Sequence, residues 1–243
     1  MKTNLYKATE RGYANYEWLQ ANYSFSFANY YNPGKQNFGA LRVLNDDVIQ
    51  GGAGFGEHPH QNMEIITIPL QGALKHKDSM SNTWIPLHTG EVQVMSAGSG
   101  VYHSERNNSS TDFINLFQLW ISVFSMGRLK KTIFPLIKFE KEERHNRLQT
   151  LVSSHADKED QSSLKIHQDA RISRIDLDAN KSFEYRLKSD QHGVYVMLIS
   201  GGADVGGHEL DQRDALGVWE TDSFELKTKE DSEVLLVEVP MNF

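Results

Sequence analysis

The sequence predicts an all-β protein built as a sandwich or barrel, on three observations. Short runs rich in β-branched and aromatic residues recur along the chain, each bounded by Gly, Ser, Asn or Asp. Turn signals separate them roughly every 8–12 residues. Amphipathic helical patterning is scarce, and residues 10–19 are the one stretch expected to supply a short helix. At roughly 150 residues per domain, 243 residues allow one large β-domain or two small ones.

The first strands are expected at residues 64–70, 91–95 and 114–124. In the last of these, Phe117, Leu119, Ile121 and Val123 share one apolar face by period two. Residues 138–147 then carry a dense mix of charges, and residues 153–163 are polar throughout. This zone reads as a solvated connection between two β-halves, with an ion-paired surface helix as the alternative and a boundary near residues 130–150. Strands return at 193–200, 223–226 and 233–240, with Gly-rich corners at 51–54, 98–100 and 201–207. Each half has an apolar strand ending in glycine (Gly72, Gly201), followed by a polar turn before the next strand (Thr89 to Glu91, Gln212 to Asp214). That shared cadence points to a duplicated β-barrel unit.

Composition narrows the chemistry. Twenty-five Lys and Arg against 32 Asp and Glu give a formal charge of −7, which disfavours a nucleic-acid binder working by bulk charge. Cysteine is absent, which excludes disulfide frameworks, zinc ribbons, iron–sulfur ligation and thiol nucleophiles. Metal chemistry stays open, because ten histidines are present, and imidazole with carboxylate suits Fe, Mn, Co, Ni, Cu or Zn. The first residues have no apolar core, and no apolar run approaches the ~18 residues of a membrane span. A cytoplasmic protein is therefore expected.

Two segments gather metal-ligating residues. In residues 52–64, His58 and His60 stand at i and i+2, so an extended backbone projects both to one face. Pro59 between them stiffens the segment and assigns it to a sheet edge or bulge. In residues 96–107, His103 and Glu105 repeat the spacing. Two such pairs on neighbouring strands would form a four-ligand site with positions left open for substrate or dioxygen; the plainer alternative is a surface His103–Glu105 hydrogen bond. His76 and Asp78 also stand two apart, but in a turn-like stretch; His88, His145, His155, His192 and His208 fall in polar loops, and His167 reads as structural. Gly52, Gly54 and Gly56 do not make a dinucleotide fingerprint, since the third glycine is misplaced and no helix follows.

At these residues the sequence resembles the cupin superfamily and, within it, the pirin family of bicupins. Gly52, His58, His60 and Glu64 match the first cupin motif, G-x5-H-x-H-x3-E. Gly90, Gly98, His103 and Asn107 match the second, which departs from the general pattern in having Ser96 where proline is usual and two extra residues before the histidine. That longer approach, residues 97–105, is typical of pirins, and residues 24–31, 39–49, 116–120 and 165–169 are also similar to pirin segments. The resemblance covers nearly the whole chain.

It implies two cupin barrels (double-stranded β-helices, or jelly rolls) packed face to face: an N-terminal metal-binding unit, residues 1–135, and a C-terminal degenerate unit, residues 136–243. The second lacks any His-x-His, and is expected to buttress the first and to close over the mouth of its pocket. General cupins would take their carboxylate ligand from Glu64, whereas pirins take it from the position of Glu105. Strand parity does not decide, since Glu64 is also an even step from His60. On the pirin pattern, His58, His60, His103 and Glu105 hold one divalent transition metal, Fe(II) ahead of Cu, Ni, Co, Mn or Zn, and Glu64 becomes a wall residue.

The likeness is to bacterial pirin-like quercetin 2,3-dioxygenases. It implies a flavonol that binds through a hydroxyl oxygen, Glu105 as base as well as ligand, and dioxygen adding across the 2,3 bond to open the ring and release carbon monoxide. Phe55, Met63 and Phe117 are read as core packing ahead of lining a cavity for a flat aromatic. The alternative function is a non-enzymatic, redox-responsive regulator that binds a basic protein partner, and a sugar-binding or storage cupin stands third. A monomer is expected, with no direct contact to nucleic acid or membrane.

Overall fold

The computed structural model describes residues 1–123, 135–158 and 160–242. Among these, helical backbone is confined to two 3-10 turns, Ala8–Glu10 and Lys141–Arg144. No described helix is long and apolar enough to cross a membrane. The strands of the first half are β1 (Lys2–Tyr6), β2 (Gly12–Asn15), β3 (Leu19–Tyr23), β4 (Leu41–Ile49), β5 (Gly54–His60) and β6 (Met63–Gln71), then β7 (Ala73–Asp78), β8 (Ile85–His88), β9 (Glu91–Ser96), β10 (Val101–Asn107) and β11 (Ile114–Ser122). The rest are β12 (Leu136–Lys138), β13 (Gln149–Ser154), β14 (Leu164–Ile166), β15 (Arg171–Leu177), β16 (Ser182–Arg186) and β17 (His192–Ser200), then β18 (Ala203–Val205), β19 (His208–Leu210), β20 (Ala215–Trp219), β21 (Ser223–Thr228) and β22 (Ser232–Pro240).

They form two similar pairs of sheets. One pair is a seven-stranded sheet, β12-β9-β6-β11-β4-β3-β2, with a four-stranded sheet, β5-β10-β7-β8. The other is a seven-stranded sheet, β1-β20-β17-β22-β15-β13-β14, with a four-stranded sheet, β16-β21-β18-β19. Each pair is a cupin unit, and the fold is the all-β bicupin that the sequence predicts. Two edge strands reach across: β1 pairs with β20 of the second unit, and β12 pairs with β9 of the first.

Period-two patterning explains how the units stack. Phe117, Leu119 and Ile121 of β11 are wholly buried and join Tyr195, Met197 and Ile199 of β17 in one core between the two large sheets. Val123 lies half-buried just past β11, and Phe124 lies outside the described residues. The opposite faces differ between the units. In the second, Val194, Val196 and Leu198 of β17 and Val234 and Leu236 of β22 fill the interior with aliphatic side chains. In the first, an apolar cluster of Leu19, Ala21, Ile49, Leu74, Leu87, Ile114 and Leu116 fills only part, while Asn45, Asp47, Thr67, His76, Glu105 and Gln118 are buried polar groups. Such groups are costly unless they serve one another or a ligand.

Three expectations are corrected. Residues 10–19 form no helix: Gly12–Asn15 pairs with Leu19–Tyr23 as a hairpin that turns at Glu17, whose φ is +68°. Tyr30 lies so close over Gly12 that an added Cβ would meet its ring at 2.3 Å. The charged run 138–147 holds a single 3-10 turn, anchored by buried Arg144 on Asp176 at 3.0 Å. Residues 153–163 are only partly a solvated connection: β13 and β14 run parallel, and the buried hydroxyls of Ser153 and Ser163 bond at 2.7 Å.

Candidate metal centre

The small sheet of the first unit carries the histidines. β5 is an edge strand, as Pro59 requires, and pairs with β10 so that His58 faces His103 and His60 faces Val101. Gly54 permits this approach, since a Cβ there would lie 2.2 Å from the Glu105 carbonyl oxygen. On its other flank β10 pairs with β7, setting Glu105 opposite His76 and His103 opposite Asp78. The β5–β10 register shifts between His103 and Glu105.

The rings of His58, His60 and His103 converge, with centroids 4.4 to 4.8 Å apart. One ligand nitrogen from each lies within 4.8 Å of the others. His58 Nδ1 meets the Gly56 carbonyl at 2.8 Å, and because a carbonyl only accepts, Nδ1 carries the proton. His58 Nε2 is thereby left with its lone pair directed inward, 2.9 Å from His103 Nε2. His60 Nε2 is buried without a hydrogen-bond partner. Burial, assisted by the neighbouring His58, lowers His60 to a pKa of about 4. Burial and then the surrounding histidines lower His103 to about 2. Both rings are therefore neutral near pH 7, the form that binds metals. Three neutral imidazoles converging on one point, with His60 Nε2 left without a partner, fit a shared cation.

Glu105 lies beside this cluster in a second group with His76 and His103, again within 4.8 Å. It is 3% exposed, which excludes the surface hydrogen bond weighed as its alternative. Gln118 Nε2 donates to Glu105 Oε2 at 2.7 Å, and Thr67 Oγ1 reaches Oε1 at 3.5 Å. Burial outweighs these bonds and pushes the carboxyl up to about 7, and a dication alongside would supply the opposite charge that it lacks. His76, also lowered to about 4 by burial, was expected in a turn yet sits inside β7 at 1% exposure. Its i,i+2 spacing to Asp78 was the available signal.

Glu64 belongs elsewhere. Asn62, with φ of +54°, turns the chain between β5 and β6, so the even step from His60 to Glu64 crosses a corner and loses its parity. Glu64 is fully buried, accepts the Ser96 hydroxyl in a short hydrogen bond, and accepts the His167 backbone N–H at 2.9 Å. It ties the first unit to the second, and His167 shares in that tie through its backbone.

A cavity of about 490 Å³ opens from the histidines, bounded by Trp18, Phe27, Phe55 and Trp120 and by Asn45, Asp47, Glu105 and Gln118. Its size suits a small organic ligand. Phe55 both lines it and packs on the apolar cluster of the first unit, whereas Phe117 packs between the large sheets and Met63 packs on Ile65 and Met95. Among the described residues, none from the second unit lines this cavity, so that unit supports the first from behind its large sheet instead of closing the mouth. Asp47 is buried, and desolvation, with Asp46 and Glu105 nearby, holds its carboxyl well above the usual range. Asn45 and Asp47 went unremarked in the sequence, although they break an apolar strand at period two.

Fold and cluster together define a bicupin whose first unit holds a candidate metal centre of His58, His60 and His103, with Glu105 and His76 alongside His103. Family models bear on the particular lineage: "Pirin" matches residues 5–121, and "Quercetinase C-terminal cupin domain" matches residues 151–239. The chain is 39% identical over 237 residues to a protein of Escherichia coli K12 named quercetin 2,3-dioxygenase, covering 97% of this chain and 98% of that one. It is 39% identical over 227 residues to a pirin-like protein of Caulobacter vibrioides, covering 93% and 95%. The crystal structure of bacterial pirin YhhW of Escherichia coli in complex with nickel(II) superposes with a TM-score of 0.89 at 37% identity, covering 98% of this chain and 99% of that one. The chain belongs to the pirin family.

Proposed function

We propose that the protein is a metal-dependent dioxygenase that cleaves a flavonol at its 2,3 bond. The observation that carries this reading is the convergence of His58, His60 and His103 at an aromatic-walled cavity of about 490 Å³. The quercetin 2,3-dioxygenase name of a 39% identical relative supports the substrate class.

In this reading residues 1–135 carry the chemistry and residues 136–243 buttress them. His58, His60, His103 and Glu105 hold one divalent first-row ion, assigned as Fe(II); the nickel complex of the related YhhW is consistent with such a donor set. When bound, the ion supplies Lewis acidity toward a substrate hydroxyl and redox contact with dioxygen. Glu105 accepts the hydroxyl proton at Oε1 while Gln118 holds Oε2 in place. Trp18, Phe27, Phe55 and Trp120 grip the flat ring system and exclude water from it. The protein acts as a cytoplasmic monomer, with flavonol and dioxygen as its partners.

The test is turnover. Protein loaded with Fe, Mn, Co, Ni or Cu in turn is mixed with flavonol, and loss of flavonol absorbance is followed with oxygen uptake. One dioxygen consumed per flavonol is expected with at least one metal. His58→Ala is expected to abolish the reaction and leave the circular dichroism unchanged, because His58 sits at the cavity and not in an apolar core. No turnover with any metal would remove the enzymatic reading and leave the metal-binding regulator in its place.

A further inference from the structure

The metal-side cavity carries two oxygen atoms that the protein itself does not satisfy. Asn45 Oδ1 and Asp47 Oδ1 are buried with no hydrogen-bond partner among the described residues. The two residues are 4% and 3% exposed and both line the cavity. They stand two apart on β4, so both side chains leave the sheet on one face. Asp46, between them, points the other way and is paired with Arg213 at 3.0 Å and Arg11 at 3.5 Å. The strand can therefore satisfy a carboxylate where the protein needs only structure.

Leaving a buried acceptor unpaired costs about 1–3 kcal/mol. Two on one wall of a ligand-sized cavity call for donors brought by the ligand. Both atoms are oxygens, so the ligand must bring donors to them, and a pair of neighbouring hydroxyls supplies two. The surroundings specify what carries them. Trp18 and Phe55 meet edge to face at 5.3 Å, and Phe27 meets Trp120 in the same way at 5.3 Å. An adjoining cavity of about 270 Å³ shares Trp18, Phe27, Asn45, Asp47 and Phe55 with the metal side and extends toward Tyr16 and Tyr23. It gives room for an aromatic group beyond the ring held at the histidines.

We infer that Asn45 and Asp47 form a second subsite, which binds the two adjacent hydroxyls of a pendant catechol ring held among Trp18, Phe27 and Phe55. The inference rests on the flavonol reading and names which part of the flavonol is recognised away from the metal. It makes these two residues specificity-determining for the pendant ring, with no part in the bond cleavage.

The test uses binding to metal-free protein, so that neither coordination nor turnover contributes. Quenching of tryptophan fluorescence is measured with three flavonols bearing two, one or no hydroxyls on the pendant phenyl ring. The dihydroxy compound is expected to bind about tenfold more tightly than the unsubstituted one, each tenfold being about 1.4 kcal/mol. Asn45→Leu and Asp47→Leu should each erase that preference, so that the dihydroxy and unsubstituted compounds bind alike. If a variant fails to fold by circular dichroism, the ranking in the wild-type protein decides. Equal affinities for the three compounds, or no binding of any, would overturn the subsite. A ranked series without turnover by the metal-loaded protein would keep the subsite and remove the dioxygenase reading.

Discussion

His58 and His103 meet because strand register sets them opposite each other, and His60 joins because period two returns it to the same face. The convergence of these three was readable from spacing and resemblance, since i,i+2 pairs need only an extended backbone. His76 was legible only through its i,i+2 spacing to Asp78, because the lysines and serines around it imitate a turn where it lies 1% exposed inside a strand. Gln118 was hidden for a related reason: it stands between Leu116 and Trp120 on the inward face of β11, and its meaning comes from Glu105 at 2.7 Å. Such a partner orients a ligand, and its loss typically costs 10–100-fold in metal affinity. Gln118→Leu is therefore expected to weaken binding of the divalent ion by about 10–100-fold in a metal titration, with folding retained. Unchanged affinity would mean that Glu105 is not a ligand.

Strand by strand, the sequence reading succeeded where apolar runs are long, as in β11, β17 and β22. It failed at residues 10–19, where a β-turn at Glu17 and the overlying Tyr30 ring select a hairpin that local composition does not announce. It also failed at residues 153–163, where buried serines satisfy one another and so imitate a solvated loop. The clearest lesson is the β5–β6 corner. Counting residues from His60 leaves Glu64 on the ligand face, whereas the left-handed turn at Asn62 sends it to Ser96 and His167. Glu64→Ala strands two buried donors and is expected to lower unfolding stability by about 2–4 kcal/mol. Metal affinity should stay within a few-fold of wild type, and a loss comparable to that of His58→Ala would restore Glu64 as a ligand.

Across the whole molecule, the two cupin units share one apolar core but have diverged inside: aliphatic residues fill the second, and polar groups around a cavity occupy the first. The duplication was visible as a cadence of strands and glycines, and the lack of any His-x-His in the second half already assigned the metal chemistry to the first; which interior is filled and which is hollow was not visible, because inward and outward apolar residues look alike in sequence. The N-terminal segment is also bound to the far unit, where Asp214 accepts from Ala8 N–H at 2.7 Å and Asp211 N–H at 3.0 Å and pairs with Lys7. Burial alone would raise this carboxyl, but the Lys7 bond and the two N–H donors outweigh it and hold the pKa below the usual 3.8. Its stabilisation is thus fully present above that value and is lost as pH falls through the lower folded value. The stability gap between wild type and Asp214→Asn, read by denaturant unfolding, is expected to be widest at neutral pH and to shrink in acid; a gap constant with pH would contradict that. The central claim is that one ion sits among His58, His60, His103 and Glu105. Anomalous diffraction at the metal edge tests it most directly. The account predicts a single peak about 2.1 Å from the three histidine nitrogens and bonded to a Glu105 oxygen, and a peak held by His76 without His58 and His60, beside Glu64, or in the second unit would contradict it.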